Sequence, residues 1–425
     1  MSEHGPGVLL ALDASRPLAD AFTAADHRLF LVGGIVRDDR IGRLRDHADY
    51  DLTTDARPDR IKQLVTPLAE AVWSQGERFG TIGCTIAGQP YEITTHRADT
   101  YDRDSRKPLV EFGDEIHDDL ARRDFTVNAM AVDVVDGTLI DPFDGATDLS
   151  EGVLRTPLDP EISFSDDPLR MVRAARFVAT LDLTPDSGVI AAVGRMRDRM
   201  AIVAIERVRD ELDKMLALDD PQPGFAFLSS TGLLAEVLPA VAAAGLDHDM
   251  VGSRVARINT AYTASGIQAA RWGALLLDAA PEERQRALDA LKPSGELAAV
   301  VRWFLADDQG AGSVPTDAPS LRRMAAAAPK ESSIDARLAF VGALWPGDDV
   351  VAAQATVARL RTEEPDLDRP RPPLSGDVIA AHLGVEPGPV IGEANAVLLE
   401  HRFRHGPCDA ELARGLLDRW WTARS

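Results

Sequence analysis

The sequence has 425 residues, of which 45% are hydrophobic and 27% charged, so it is long enough for two to four domains and too apolar for wholesale disorder. Acidic residues exceed Lys and Arg by 68 to 46, and the net charge of −22 disfavours a polyanionic partner unless basic residues cluster locally. The two cysteines, Cys84 and Cys408, lie far apart and argue against a disulfide framework or a structural zinc site. No stretch approaches the ~18 uninterrupted apolar residues of a membrane span, and the N-terminus lacks signal-peptide features, so we expect a soluble, cytoplasmic protein.

Basic residues do cluster in two segments. Residues 169–214 contain nine basic residues against seven acidic ones, and residues 401–425 contain five arginines and two histidines against three acids. Both segments offer the local positive charge that contact with a phosphate backbone requires.

Residues 1–150 alternate short β-rich runs with helical ones. The runs RLFLVGG, DYDLTTD, AVWS, TIGCTIAG and YEITTHR predict strands, and IVRDDRIG and RPDRIKQLVTPLAEA predict helices. From about residue 160, apolar residues recur at helical spacing instead. The pattern therefore predicts an α/β head with a mixed sheet and helices, followed by an all-helical neck, body and tail.

Breaker-rich segments divide the helical part of the chain. They lie at residues 219–224, 310–320 and 364–374, where Pro, Gly and Asp accumulate. The predicted domains are a head (1–150), a neck (151–218), a helical body (219–330) and a helical tail (331–425).

The segment LVGGIVRD (31–38) predicts a strand that ends at Gly33 and Gly34 and opens a helix. Paired glycines at such a turn allow a phosphate to approach the backbone closely. Asp49 and Asp51 follow on the next strand, and carboxylates two residues apart on a strand point the same way and can hold hard cations together. Phosphates beside divalent cations explain both features.

The first segment also contains Arg37-Asp38, and four further motifs follow in order: ARRDFTVNAMA (121–131), DPFDGATDLSEGVLRT (141–156), DDPLRMVRAARF (166–177) and IERVRDEL (205–212). With the glycine turn and the aspartates, they resemble the motifs of class II tRNA nucleotidyltransferases, the family of CCA-adding enzymes and bacterial poly(A) polymerases. The match is strong over residues 28–215 and weaker beyond. The resemblance implies a nucleotidyltransferase head, a neck with base-recognition helices and a tRNA-binding tail.

The resemblance implies transfer of a nucleotide to an RNA 3′-hydroxyl, helped by two Mg²⁺ ions. Asp49 and Asp51 would be the catalytic metal ligands, and Glu92 is a candidate third carboxylate, although an ordinary solvent-facing strand residue explains it equally well. The residues expected to bind the nucleotide through its phosphates and sugar are Gly33, Gly34, Arg37, Arg123 and Asn128.

A second group of residues is expected to select the base. Asp167, Arg170, Arg173 and Arg176 follow one another at steps of three, and we predict one helical stripe. In the family the first pair reads the base edge: Asp167 would accept from the amine of cytosine or adenine, and Arg170 would donate to the ring nitrogen. Uracil and guanine would leave both charges unpaired. Arg173 and Arg176 would orient Asp167 or reach the triphosphate.

Three further regions refine this interpretation. The polar stretch at 96–119 corresponds to a family loop associated with addition of the terminal A, which argues against an enzyme that stops at CC. At the place where relatives carry a His-Asp hydrolase, this chain has Leu277 instead of the ligand histidine, with Asp278 and His248 remaining, so the body is predicted to be a degenerate hydrolase fold without metal. The segment 374–403 resembles the family's tRNA-binding tail helices.

The sequence therefore favours an enzyme that adds C, C and A to tRNA from CTP and ATP. It implies no association with a membrane and no protein partner. A poly(A) polymerase or an A-adding tRNA nucleotidyltransferase is the alternative within the family. A catalytically inactive RNA-binding protein would have lost Asp49 or Asp51, and both are present. A His-Asp phosphohydrolase is disfavoured by Leu277.

Overall fold

The computed structural model describes residues 4–43, 50–98, 111–245, 248–262, 266–306 and 313–424. The chain divides into two units, each compact by its internal contacts. One comprises Met1–Met215 and Pro223–Pro239, and the other comprises Leu216–Gln222 and Ala240–Ser425. The finer division into head, neck, body and tail stays a prediction. Within the described residues, every helix is too short or too polar to cross a membrane.

A seven-stranded mixed sheet lies in the first unit, as the alternating pattern predicts. Its strands are β1 (Leu29–Val32), β2 (Tyr50–Thr54), β3 (Ala71–Trp73), β4 (Thr81–Ile86), β5 (Gln89–Thr95), β8 (Ala131–Asp133) and β9 (Leu139–Ile140). Two short pairs lie apart from it: β6 (Arg97–Ala98) with β7 (Glu111–Phe112), and β10 (Val153–Leu154) with β11 (Thr184–Pro185). The order across the sheet is β3-β4-β5-β2-β1-β8-β9.

The register of β2 and β5 positions the two carboxylates of the sheet. These strands run parallel, and Asp51 lies directly opposite Glu92. Directly paired residues present their side chains on the same face of a sheet, so both carboxylates lie on one face, and both residues are exposed. The adjacent strand β1 is buried along its length and packs against Ile116 and Leu120.

Short helices surround the sheet and continue into the neck. Up to residue 243 they are α1 (Pro6–Ala14), α2 (Arg16–Thr23), α3 (Gly34–Arg40), α4 (Pro58–Val65), α5 (Ile116–Ala121), α6 (Gly145–Glu151), α7 (Pro160–Asp166), α8 (Leu169–Leu181), α9 (Ser187–Met196), α10 (Ile205–Leu216), α11 (Gln222–Ser230), α12 (Leu233–Val237) and α13 (Pro239–Ala243). Three 3-10 helices span Glu77–Phe79, Thr126–Asn128 and Arg197–Ile202. Helix α4 is shorter than its sequence run suggested, because Pro67 has no N–H to continue the helical hydrogen bonding.

The predicted four-residue stripe of the neck is only partly helical, which corrects that expectation. Arg170, Arg173 and Arg176 lie on α8, but Asp167 precedes this helix with an extended backbone (φ −143°, ψ 99°). Pro168 disfavours a helical conformation at the residue before it. Asp167 instead accepts a hydrogen bond from the Leu169 backbone N–H at 3.1 Å, which gives a partner to one of the unpaired N–H groups at the start of α8.

The second unit is helical, as predicted. Its helices are α14 (His248–Ala261), α15 (Ile267–Leu276), α16 (Pro281–Leu291), α17 (Gly295–Phe304), α18 (Ala318–Ala326), α19 (Ile334–Leu344), α20 (Asp348–Glu363), α21 (Gly376–Leu383), α22 (Pro389–His405) and α23 (Ala410–Thr422). The run GVEPGP connects α21 to α22, in agreement with the predicted tight connection. Ile379, Leu398 and Leu417 form a small core between the last three helices.

Candidate active site

The turn after β1 brings three predicted site residues together. Gly33 has φ 73° and ψ −132°, a backbone conformation that favours glycine, and Gly34 is the first residue of α3. A Cβ added at Gly33 would lie 3.4 Å from Arg123 Nη1 and 3.9 Å from Asp51 Oδ2. The missing side chain therefore leaves a small space bordered by a cation and by the carboxylate face of the sheet.

The carboxylates fit a hard cation by their chemistry and placement. Asp51 and Glu92 share one face of adjacent strands, and carboxylate oxygens are the ligands that Mg²⁺ prefers. Asp49 lies outside the described residues. Among the residues that the structure describes, no three His, Cys, Asp or Glu side chains group as a metal site. The described part thus supplies two candidate ligands, and Asp49 stays a prediction.

Arg123 is held at the glycine turn by a neighbouring acid. Its Nη2 donates to Asp119 Oδ2 at 3.1 Å, across one turn at the end of α5, and Asp119 is almost fully buried. The Arg123 Nε is buried and has no hydrogen-bond partner among the described residues. A guanidinium with one tethered nitrogen and another facing the space at Gly33 is well placed for an anion.

Arg37 and Asn128 meet in the interior instead. Arg37 is 5% exposed; its Nε donates to Asp38 at 2.8 Å and its Nη1 donates to Asn128 Oδ1 at 2.5 Å. Asn128 also donates from Nδ2 to Asp124 Oδ1 at 2.9 Å. In this geometry Arg37 positions Asn128, and direct contact of either side chain with a nucleotide stays a prediction.

Asp124 links the head motif to the neck helix. Its Oδ2 accepts from Arg173 Nε at 2.9 Å and Nη2 at 2.7 Å. Burial alone would raise the pKa of Asp124, but the charge of Arg173 and the hydrogen bonds from Asn128 and Arg173 outweigh it, so the pKa lies below the ordinary value. Asp124 therefore remains an anion that fixes the orientation of Arg173.

Glu211 of α10 completes this buried network. It is 3% exposed and accepts from Arg176 Nε at 2.5 Å and from Arg173 Nη1 at 3.4 Å. Burial opposes ionisation, yet the charges of Arg176 and Arg173 hold the pKa of Glu211 below its usual value. Arg173 and Arg176 thus bond Asp124 and Glu211 rather than Asp167, and their expected contact with the triphosphate stays a prediction.

The arginine that bonds Asp167 is Arg207 on α10. Its Nη2 donates to Asp167 Oδ2 at 2.7 Å and its Nη1 to Oδ1 at 3.3 Å, which is a bidentate arrangement. Arg170 is held on the other side of the helix start, because its Nη1 donates to Ser163 Oγ at 2.9 Å and its Nη2 to the Arg122 carbonyl at 2.5 Å. The predicted base-reading pair is therefore fixed by two separate sets of contacts.

Sequence reasoning missed three of these residues: Asp124, Arg207 and Glu211. Asp124 stands inside the quoted run RRDFTVNA, and the other two stand inside IERVRDEL. A signal was present, since α10 repeats its charges at helical spacing, but the partner of each charge depends on how α8 and α10 pack. Their pairing with Arg173, Asp167 and Arg176 emerges only in three dimensions.

The body residues with hydrolase-like chemistry are engaged elsewhere. Asp278 accepts from Arg254 Nη1 at 2.6 Å and Nη2 at 3.0 Å, while His248 contacts Gln222 and Asp249. A carboxylate bound by an arginine is a poor metal ligand. Of the polar stretch at 96–119, residues 99–110 lie outside the described residues, so the expected loop function stays a prediction.

Known proteins resemble this chain most clearly over its first half. Residues 29–155 match the model of the Poly A polymerase head domain, and residues 182–244 match the probable RNA and SrmB- binding site of polymerase A. The CCA-adding enzyme of Lactobacillus johnsonii is 37% identical over 226 residues, which are 53% of this chain and 55% of that protein. The chain is therefore similar to CCA-adding enzymes over about half of its length, and residues 29–155 resemble a Poly A polymerase head domain.

A second CCA-adding enzyme aligns over a similar length. The CCA-adding enzyme of Bacillus velezensis is 33% identical over 262 residues, which are 61% of this chain and 63% of that protein. The chain thus matches between about half and two thirds of the length of these relatives.

Solved structures of CCA-adding enzymes show the same fold. The Bacillus stearothermophilus CCA-adding enzyme in complex with CTP superposes with a TM-score of 0.74 at 23% identity and covers 99% of both chains. The Thermotoga maritima CCA-adding enzyme complexed with tRNA superposes with a TM-score of 0.60 at 19% identity, over 99% of this chain and 96% of that chain. The α/β head with its helical continuation is therefore confirmed as the architecture.

Proposed function

We propose that this protein is a CCA tRNA nucleotidyltransferase that adds C, C and A to tRNA 3′ ends from CTP and ATP. The observation that carries the proposal is the juxtaposition of the Asp51 and Glu92 carboxylates with the Gly33 turn and Arg123. Relatives at 33% and 37% identity are CCA-adding enzymes, which supports this choice of substrates. A cytoplasmic location belongs to the same proposal, because the substrate is tRNA.

The reaction joins the RNA 3′-oxygen to the α-phosphorus of the triphosphate. As this O–P bond forms, the bond from the α-phosphorus to the bridging oxygen breaks, pyrophosphate leaves and the hydroxyl proton is released to water. Mg²⁺ ions held by Asp49 and Asp51, with Glu92 as a candidate third ligand, would polarise the hydroxyl and offset charge on the leaving group. Arg123 stabilises the triphosphate from the side of the glycine turn.

The neck residues supply base selection in this proposal. Asp167 accepts from the exocyclic amine of cytosine or adenine, and Arg170 donates to the ring nitrogen beside it. The hydrogen bonds that Arg207 donates to Asp167 and that Arg170 donates to Ser163 hold both groups before the nucleotide arrives. Preorganisation of this kind lowers the cost of ordering the side chains on binding. Asp124 and Glu211 act indirectly, by fixing the arginines of α8.

Addition of A alone, to tRNA or to RNA in general, is the alternative within the same family. The residues of the head described above serve either reaction, because the chemistry at the α-phosphorus is identical. Three RNA substrates separate the alternatives: tRNA lacking CCA, tRNA ending in CC, and an unrelated RNA. The proposal expects C, C and A on the first, A on the second and little extension of the third.

The catalytic assignment is tested by Asp51→Ala. We expect loss of both CTP and ATP incorporation with nearly unchanged tRNA binding, because the metal-assisted step fails while cationic contacts to RNA remain. The control is Asp59→Ala, which removes an exposed carboxylate from α4 of the same head and should leave incorporation intact. Incorporation is followed with labelled nucleotides on a gel. Substantial turnover by Asp51→Ala would contradict the assignment.

A further inference from the structure

A cavity of about 500 Å³ adjoins the carboxylate face at the β3 edge of the sheet. Its lining includes Trp73, Phe79, Gly83, Glu92 and Arg97. This volume falls within the range of small-ligand sites, and the lining combines aromatic rings with a cation. Glu92 belongs both to this cavity and to the carboxylate pair with Asp51, so the two sites are continuous.

The sheet register explains how an aromatic ring comes to lie beside the carboxylates. Trp73 pairs with Gly83, Gly83 pairs with Glu92, and Glu92 pairs with Asp51, so the four residues form one row across β3, β4, β5 and β2. Directly paired residues share a face, so the row presents Trp73, Glu92 and Asp51 on the same side. A Cβ placed on Gly83 would lie 2.0 Å from Trp73 Cε2, so the indole covers Gly83, and Trp73 lines the same cavity as Glu92.

Exposure and charge in this cavity suit a nucleotide. Trp73 is 37% exposed and Phe79 is 41% exposed, although large aromatic side chains are usually more buried. The Arg97 Nη2 donates to the Phe79 carbonyl, and its Nε is buried without a hydrogen-bond partner among the described residues. Aromatic faces beside an arginine with an unsatisfied donor are the features with which proteins bind single-stranded nucleic acid.

The position of the cavity distinguishes the RNA from the incoming triphosphate. Gly33 and Arg123 border Asp51 on one side, where the triphosphate is proposed to bind, and the cavity lies beyond Glu92 on the other side. Phosphoryl transfer requires the attacking and leaving oxygens to be roughly in line across the phosphorus. The nucleophile must therefore approach the α-phosphorus from the side opposite the leaving pyrophosphate, and the cavity with Trp73 offers a position for it on the side of Asp51 away from Gly33 and Arg123.

We propose that this cavity binds the 3′-terminal nucleotides of the RNA substrate, with a base stacked on Trp73 and a backbone phosphate near Arg97. The terminal 3′-hydroxyl then reaches Glu92 and Asp51. This inference rests on the proposed nucleotidyl transfer and adds the site of the acceptor strand to it.

The kinetic test uses Trp73→Ala on the full chain. Stacking on an aromatic ring contributes enough that its loss should raise KM for tRNA ending in CC by about 5- to 150-fold, with KM for ATP nearly unchanged. Trp73→Phe keeps a stacking surface and should stay close to wild type. Val135→Ala is the surface control, because Val135 is an exposed apolar residue between β8 and β9, at the opposite edge of the sheet.

A second variant displaces the Trp73 ring by changing the residue that the ring covers. Gly83→Ala would drive a methyl group into the indole and displace it, so KM for RNA should rise as in Trp73→Ala while KM for ATP does not. Circular dichroism and urea unfolding show whether each variant is folded. Equal RNA KM values for wild type, Trp73→Ala and Gly83→Ala, in folded and active proteins, would overturn the inference while leaving the proposed reaction intact.

A binding measurement distinguishes an error in the proposed RNA site from an error in the proposed reaction. A short RNA ending in CC should quench tryptophan fluorescence in the wild type, and the difference from Trp73→Phe reports on Trp73 alone. If the wild type transfers no nucleotide, the proposed function is wrong. The quenching then shows independently whether RNA binds in the cavity. Quenching that is identical in wild type and Trp73→Phe overturns RNA stacking at this site.

Discussion

Single residues of the site are held mainly by paired charges. Arg173 bonds both Asp124 and Glu211, and each of these acids is at most 10% exposed. A buried carboxylate that loses its cation typically costs about 3–5 kcal/mol, because the remaining charge is left uncompensated. The arginines of α8 thus stabilise the fold by neutralising buried carboxylates, whether or not they also contact a nucleotide. Activity loss on their substitution would not by itself identify a nucleotide-binding role.

Asp167 offers a cleaner test of base selection, because it is the more exposed acid. Asp167→Ala should relax discrimination against UTP and GTP by ~1–3 kcal/mol, since the acceptor that rejects their keto edge is gone. Arg207→Ala should give a smaller loss of selectivity, because it removes the group that orients this acceptor. The ratio of kcat/KM values for CTP and UTP measures the effect.

The control for this prediction is Glu161→Ala on α7. Glu161 is another exposed carboxylate bonded by an arginine, here Arg195 at 2.6 Å, so it matches Asp167 in charge and pairing. It should leave the CTP-to-UTP ratio unchanged. If both alanine variants shift the ratio equally, Asp167 has no specific part in base recognition.

At the level of residues, the sequence predicted local features such as the glycine turn better than it predicted which side chains bond each other. The glycine turn at Gly33 agrees with the pattern, because turn chemistry is local, whereas its approach to Asp51 and Arg123 depends on long-range contacts that the pattern does not give. Arg207 was not anticipated as the partner of Asp167, because forty residues separate them and their meeting depends on helix packing. The predicted roles in catalysis and nucleotide binding stay predictions.

Among the elements, the positions of β1 to β5 along the chain were predicted well, but their order in the sheet was not predicted. Each strand has its own alternating or buried run, whereas the parallel pairing of β2 with β5 joins residues about forty positions apart. That pairing is what places Glu92 opposite Asp51. The position of a candidate third carboxylate therefore follows from a long-range contact that periodicity does not encode.

The 3-10 helix Thr126–Asn128 is held by contacts with α6 and with Arg155, which follows β10. Thr126 Oγ1 donates to Asp148 Oδ2 at 2.7 Å, and the Thr126 backbone N–H donates to the Arg155 carbonyl at 2.9 Å. Both side chains of the first bond are buried. This short helix carries Asn128, so its anchoring sets the position of the amide that bonds Arg37.

Thr126→Val should therefore destabilise the protein and weaken nucleotide binding together. Removal of the hydroxyl takes one hydrogen bond from the buried Asp148, which should cost about 1–3 kcal/mol in urea unfolding. KM for CTP should rise while KM for tRNA changes little. The control Thr66→Val removes an exposed hydroxyl that bonds the Lys62 carbonyl and should change neither value. Unchanged stability in Thr126→Val would show that this bond does not anchor the helix.

For the whole molecule, the net charge of −22 leaves RNA binding to local basic surfaces. Several arginines of the tail are already paired with acids: Arg402 with Asp366, Arg404 with Glu400, and Arg424 with Glu393. Arg402 is also buried. The count of basic residues in segment 401–425 therefore overstates the charge available to a polyanion. Arg414 and Arg419, both exposed on α23, are the stronger candidates for contact with tRNA.

The double variant Arg414→Glu, Arg419→Glu should weaken tRNA binding and reduce its salt dependence. Each lost phosphate contact lowers the slope of log Kd against log salt by about 1, so the slope should fall by about 1–2. The control Arg286→Glu, Arg302→Glu alters two exposed arginines of α16 and α17, and both pairs change the net charge from −22 to −26. Fluorescence anisotropy with labelled tRNA over a range of KCl concentrations gives both slopes. If the two double variants lose affinity equally, overall repulsion explains the effect and α23 makes no specific contact with tRNA.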